Sequence, residues 1–223
     1  MKLKGIIFDL DGTLIDSKVA HVKAWIEACK LIGLGKLKDE DVVKHFGKTS
    51  IAIAEALLKE HGVDVKLAPR LADLKDKLFF EKYYKLVKPY EFLNELLRFL
   101  KERQVRICIV SSNPREAIFK ILRFLSIVDY VDCVVGQDEV KEGKPSPEPI
   151  LLALKRLKLE PKEVIVVGDS IYDVIAAKRA NIIAVGVTHS SKSPNELKEA
   201  GALSVVRDLK ELFNFLKSYI SQA

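Results

Sequence analysis

Cysteine is scarce in this sequence. Its three residues, Cys29, Cys108 and Cys133, lie far apart and form no CxxC or Cys/His spacing. That argues against a disulfide scaffold or a zinc site and favours a reducing cytoplasm. The four histidines, His21, His45, His61 and His189, share no ligand spacing either. Long apolar runs are missing; none approaches the ~20 residues a membrane helix needs. The opening MKLKGIIFDLDG is basic, but its apolar run is short and acidic residues follow at once, so no signal peptide is expected. Internal repeats and low-complexity stretches are absent. There is one methionine, and Lys and Glu are used heavily, a balance that points weakly to a thermophile. With 223 residues, 48% hydrophobic and 30% charged, the chain reads as an ordinary globular protein with room for a real core.

The net charge of +6 is unevenly spread. Residues 17–88 carry 15 basic and 10 acidic side chains, whereas the remainder carries 22 and 21. The plain alternative is a solvated basic face; the sharper one is a positive lid over a small anionic molecule. No basic cluster interleaved with aromatics suggests nucleic acid.

Leu3–Asp9 is a short apolar run, expected to be a buried strand ended by Asp11-Gly12. Residues 17–84 read as helices: 18–32, 50–61 and 67–84. After Pro89 apolar strands (105–110, 133–135, 164–167, 182–187) alternate with helices (92–103, 115–125, 147–157, 173–180), and an amphipathic helix over 209–220 closes the chain. Strands apolar throughout and alternating with helices imply a doubly wound parallel sheet covered on both faces. The expected organisation is an α/β core from residues 1–16 and 89–223, with a helical insertion over 17–88 and hinges near 12–17 and 85–90.

Polar residues gather where the predicted strands end: Asp9 and Asp11, Ser111, Lys144, Asp169 and Asp173. In an open parallel sheet that rim binds ligands. Asp9 and Asp11 are two apart, and Asp169 adds a third carboxylate. Like charges so close need a cation or a shared proton. With no His or Cys nearby, the set suits Mg²⁺ better than zinc. The plain alternative for a DxD is a turn or a helix cap, but Gly12-Thr13 after a buried strand weakens it. Ser111, Ser112 and Asn113 precede a helix whose free N–H groups suit an anion; Ser112 or Asn113 could equally be a plain cap. Lys144 sits in a proline-stiffened loop, with Ser146 and Pro147 expected at N-cap and N1 of the next helix. Asp173, four after Asp169, could support the metal site, anchor the phosphate loop, or simply favour the helix dipole. Gly47-Lys48-Thr49 looks like the tail of a P-loop, but Val42 stands where its first glycine belongs.

Together Asp9-Leu10-Asp11-Gly12-Thr13, Ser111, Lys144 and Gly168-Asp169-Ser170-x-x-Asp173 resemble the four motifs of the haloacid dehalogenase (HAD) superfamily, in order, spacing and strand-end placement. The helical insertion is similar to the family's C1-type cap, and the chain looks most like its phosphoglycolate phosphatase and β-phosphoglucomutase-like phosphatases. Asn181 departs from the glycine many members carry after the fourth motif, which a left-handed Asn can replace.

The resemblance implies a cytoplasmic Mg²⁺-dependent phosphatase of small phosphate monoesters, a monomer or homodimer with no nucleic-acid or membrane partner. It implies that Asp9 is the nucleophile and Asp11 the general acid/base. It further implies that Asp9, the Asp11 carbonyl and Asp169 hold the metal, that Ser111, Ser112, Asn113 and Lys144 hold the phosphate, and that Thr13 and Asp173 support them. Lys44, His45, Lys48 and Thr49 are candidate cap contacts to the leaving group. A phosphomutase is the alternative. Dehalogenation is disfavoured by the acid at Asp11, and phosphonate cleavage by the lack of any marked cap lysine.

Overall fold

A computed structural model describes residues 3–46, 49–189 and 194–221. The chain falls into two compact units, one spanning Ser17–Val87 and the other built from the segments on either side of it.

The flanking segments form a six-stranded parallel sheet in the order β5-β4-β1-β6-β7-β8. Its strands are β1 (Gly5–Phe8), β4 (Arg106–Val110), β5 (Cys133–Val135), β6 (Val164–Gly168), β7 (Ile183–Val187) and β8 (Ser204–Val206). The two short strands β2 (Ile15–Asp16) and β3 (Lys88–Pro89) pair antiparallel where the chain leaves this unit and returns. Ile6, Ile7 and Phe8 of β1 are wholly buried, because neighbouring strands flank it and helices cover both faces. Those helices are α5 (Leu93–Glu102), α6 (Arg115–Phe124), α7 (Glu148–Leu157), α8 (Ile171–Arg179), α9 (Pro194–Ala200) and α10 (Leu209–Ser221). On α5 the buried leucines 93, 96, 97 and 100 make one apolar stripe. Each fully buried Leu, Ile or Phe contributes about 1.5–3 kcal/mol.

Core strands in chain order run outward from β1 through β4 to β5, then restart at β6 on β1's other side. The order therefore reverses beside β1, and a crevice at the carboxyl ends of β1 and β6 is the natural ligand position.

The Ser17–Val87 unit is helical: α1 (Lys18–Leu31), α2 (Asp39–Val43), α3 (Ser50–Glu60) and α4 (Ala68–Leu78). It has its own core around Trp25, Leu57, Leu58 and Leu71. The helix expected over 67–84 narrows to α4 and widens into a π-helical turn at Phe79–Tyr83, from which Lys82 and Tyr83 both bond Glu27 of α1. No helix among the described residues is long and apolar enough to cross a membrane.

Three local expectations need correction. Cys108 and Cys133 are bonded to each other, with Cα atoms 4.6 Å apart. Twenty-five residues separate them in sequence, but the parallel register of β4 and β5 sets them directly opposite. Neither Ser112 nor Asn113 caps α6; the cap position is Pro114. Pro147 likewise takes the cap position of α7, although the Ser146 hydroxyl still accepts from the Glu148 N–H at 3.3 Å.

Candidate active site

The loop after β1 folds back on itself. The Leu14 and Ile15 N–H groups both donate to the Leu10 carbonyl, and the Gly12 N–H to Ile15 O. Gly12 has φ +83°, and a Cβ there would lie 2.3 Å from an Asp169 carboxylate oxygen. Only glycine lets the backbone turn this way and lets Asp169 approach so closely. The turn leaves Asp9 and Asp11 with separate partners. The Thr13 hydroxyl donates to Asp9 Oδ2 at 3.0 Å, and Lys144 Nζ lies 2.6 Å from Asp9 Oδ1. Asp11 Oδ2 accepts from Asn113 Nδ2 at 2.6 Å and from Ser111 Oγ at 3.4 Å.

Lys144 reaches Asp9 from the loop between β5 and α7. The Glu148 carboxylate ties that loop by accepting from the Lys141 and Glu142 N–H groups, and Arg179 donates to the Pro145 carbonyl at 3.0 Å. The Lys144–Pro145 peptide is cis. Besides Asp9, the Lys144 ammonium donates to Asp173 Oδ1 at 2.6 Å and to the Val110 carbonyl at 3.4 Å, which uses all three of its N–H bonds. The other oxygen of Asp173 accepts from the N–H and hydroxyl of Ser170, and Ser170 caps α8 in return. Gly168 makes room: a Cβ there would sit 2.4 Å from the Asp173 side chain.

The carboxylate oxygens of Asp9, Asp169 and Asp173 lie within 4.8 Å of one another, and all three residues are buried. Burial pushes the Asp9 carboxyl up to about 8; Lys144 pulls it down, while Asp173 and Asp169 push it up. Burial alone would lower Lys144, but Asp173 and Asp9 outweigh it and hold the ammonium above its usual range. Both carboxylates thus favour the charged ammonium. Asp9, Asp169 and Asp173 together offer the oxygen atoms that a cation could use. An all-oxygen set with no His or Cys fits a hard divalent ion such as Mg²⁺.

The structure thus brings Asp9, Asp11, Thr13, Ser111, Asn113, Lys144, Asp169 and Asp173 to one rim. Ser112 is exposed beside it. The candidates in the helical unit have partners of their own there. Lys44 pairs with Glu60 at 2.9 Å, buried His45 bonds Glu60 at 3.1 Å, and the Thr49 hydroxyl caps α3. Lys48 lies outside the described residues.

Two residues at this rim carry no motif. His189 Nε2 lies 2.9 Å from the Thr13 carbonyl, and its ring stacks on Tyr90 with centroids 3.4 Å apart. Burial lowers the His189 imidazole and pushes the Tyr90 phenol up to about 12, the latter helped by Asp16, Asp169 and Asp11. The spacing that dismisses His189 as a metal ligand gives no hint of this contact, which spans 176 residues.

Residues 6–187 match the haloacid dehalogenase-like hydrolase family. The chain belongs to that family. It is 32% identical to a phosphorylated carbohydrates phosphatase of Thermotoga maritima, over 98% of this chain and all of that one. It is 35% identical to a phosphoglycolate phosphatase of Aquifex aeolicus, over 80% and 81% of the two chains. Among solved structures, a hydrolase from Pseudomonas syringae superposes with a TM-score of 0.80 at 30% identity, over 96% and 98%. Asn181 takes φ +59°, the left-handed conformation that Asn tolerates at a helix end.

Proposed function

We propose that this chain is a Mg²⁺-dependent phosphatase of small phosphate monoesters that works through a phosphorylated Asp9, with residues 17–88 acting as its cap domain. The observation that carries the reading is one buried carboxylate, Asp9, held between a fixed ammonium and a hydroxyl beside Asp169. Relatives named for phosphorylated carbohydrates and for phosphoglycolate support the substrate class.

In this reading Asp9 attacks phosphorus, a P–O bond to the carboxylate forms, and the ester P–O bond breaks. Thr13 and Lys144 fix the carboxylate's orientation. Asp11 gives its proton to the departing alkoxide, and Asn113 aims it. Water then attacks phosphorus, Asp11 takes the water's proton, and the Asp9–phosphorus bond breaks to release phosphate. Lys144 can trade its long bond to Val110 for a phosphoryl oxygen while keeping both carboxylates, and the Ser111 hydroxyl supplies a second donor. Asp9, Asp169 and the Asp11 carbonyl would hold Mg²⁺, which when bound offsets repulsion between carboxylates and the phosphate dianion.

Asp9→Asn keeps the shape but removes the nucleophile. Turnover of p-nitrophenyl phosphate should fall by about a thousandfold or more, and EDTA should abolish the wild-type rate. Retained turnover in Asp9→Asn would reject the reading.

A further inference from the structure

The loop that carries both aspartates is held from outside by two residues of no motif. His189 follows β7, and Tyr90 follows β3. The Thr13 carbonyl can only accept, so His189 Nε2 bears the proton and donates to it at 2.9 Å. The next carbonyl along, that of Leu14, accepts from the Tyr90 N–H at 3.1 Å. The two rings lie face to face, 3.4 Å between centroids and 8° from parallel. Two successive carbonyls of one turn are therefore gripped by two residues that also grip each other.

From there the line to the chemistry is short. Thr13 is wholly buried, and its hydroxyl donates to Asp9 Oδ2. Fixing the Thr13 carbonyl fixes the peptide plane from which that hydroxyl is aimed. His189 also takes φ +43°, a left-handed conformation unusual for a residue with a Cβ. Such backbone persists where surrounding contacts over-determine it, and it clusters at functional sites.

We propose that His189 and Tyr90 are positioning residues for Asp9: a stacked brace that sets the turn Thr13–Leu14 and, through the Thr13 hydroxyl, the orientation of the attacking carboxylate. The catalytic half of this proposal rests on the phosphatase reading; the brace itself does not.

The test uses the full chain with Mg²⁺ and p-nitrophenyl phosphate, well below each variant's Tm. His189→Ala should lower kcat about tenfold with KM within about twofold, the pattern of a misaimed group rather than a lost binding contact. His189→Gln keeps an N–H donor at similar reach and should restore at least half of the lost rate. Tyr90→Phe keeps the stack and should stay within about twofold of wild type, whereas Tyr90→Leu should fall as His189→Ala does. Amide hydrogen exchange across residues 10–16 should quicken in His189→Ala, a readout independent of turnover.

An unchanged kcat in His189→Ala would overturn the proposal. So would a loss that follows Tm and that Gln does not restore, or unaltered exchange over residues 10–16. An inactive wild type would instead sink the phosphatase reading, and the exchange measurement would still decide for or against the brace.

Discussion

The two units use charge in opposite ways. At the rim of the sheet unit, Lys144, Asp9 and Asp173 form a buried ion cluster whose members come from distant parts of the chain. In the helical unit, charge-rich by composition, the pairs Lys44–Glu60 and Lys82–Glu27 sit at the surface. Lys75 is an exception, buried against Trp25 with Ser50 and Asp76 as partners. Exposed pairs are worth about 0–1 kcal/mol, whereas removing one partner of a buried pair costs about 3–5 kcal/mol. A net charge count ranks the helical unit first; burial ranks the sheet unit first, and burial is where electrostatics does chemistry.

Lys144→Met should break this contrast most strongly. It removes the cation that buried Asp9 and Asp173 share, so it should lower stability by about 3–5 kcal/mol in urea titration and abolish turnover. A Tm and a rate close to wild type would mean the cluster is not buried as described.

The metal should sharpen the contrast through pH. Without metal the folded protein holds the Asp9 proton up to about 8, against an ordinary 3.8, so stability is lost as pH rises through that interval. A cation that takes the ionised carboxylates competes with that proton. The Tm gain from Mg²⁺ should therefore be larger at pH 8 than at about pH 6, and should vanish in Asp9→Asn. An equal gain at both values would argue that the ion binds elsewhere.

The smallest effects belong to the helical unit. Lys44→Ala should leave the urea midpoint close to that of wild type, since its pair with Glu60 is exposed. Should Lys44, His45 or Thr49 contact the leaving group, single Ala variants would change kcat/KM for the preferred substrate beyond that for p-nitrophenyl phosphate. Identical ratios for both substrates would remove these residues from the site.

Sequence reasoning succeeds here where the signal is local. The apolar run before Asp9 marks β1, Gly12 marks a turn that only glycine can make, and Asn181 marks a left-handed helix end. It fails where identity depends on three-dimensional neighbours. The strand β8 is three residues long at the sheet edge, too short for a periodic signal. The helix α2 spells Asp-Glu-Asp-Val-Val, too short and too polar to read. The Cys108–Cys133 bond follows from the register of two parallel strands, and sequence spacing does not set that register. Ser170 stands within a motif, yet its work, clamping Asp173 with both N–H and hydroxyl, emerges only in the folded chain. His189 and Tyr90 are further examples: each is an ordinary loop residue until the chain folds.

The central claim is that Asp9 takes the phosphoryl group onto its own carboxylate. Crystals soaked with Mg²⁺ and beryllofluoride, a mimic of that group, test it most directly. Continuous density from an Asp9 carboxylate oxygen to beryllium, with Lys144 turned toward a fluoride and a cation beside Asp169, is the predicted result. A bare Asp9, or an adduct on any other residue, would contradict it.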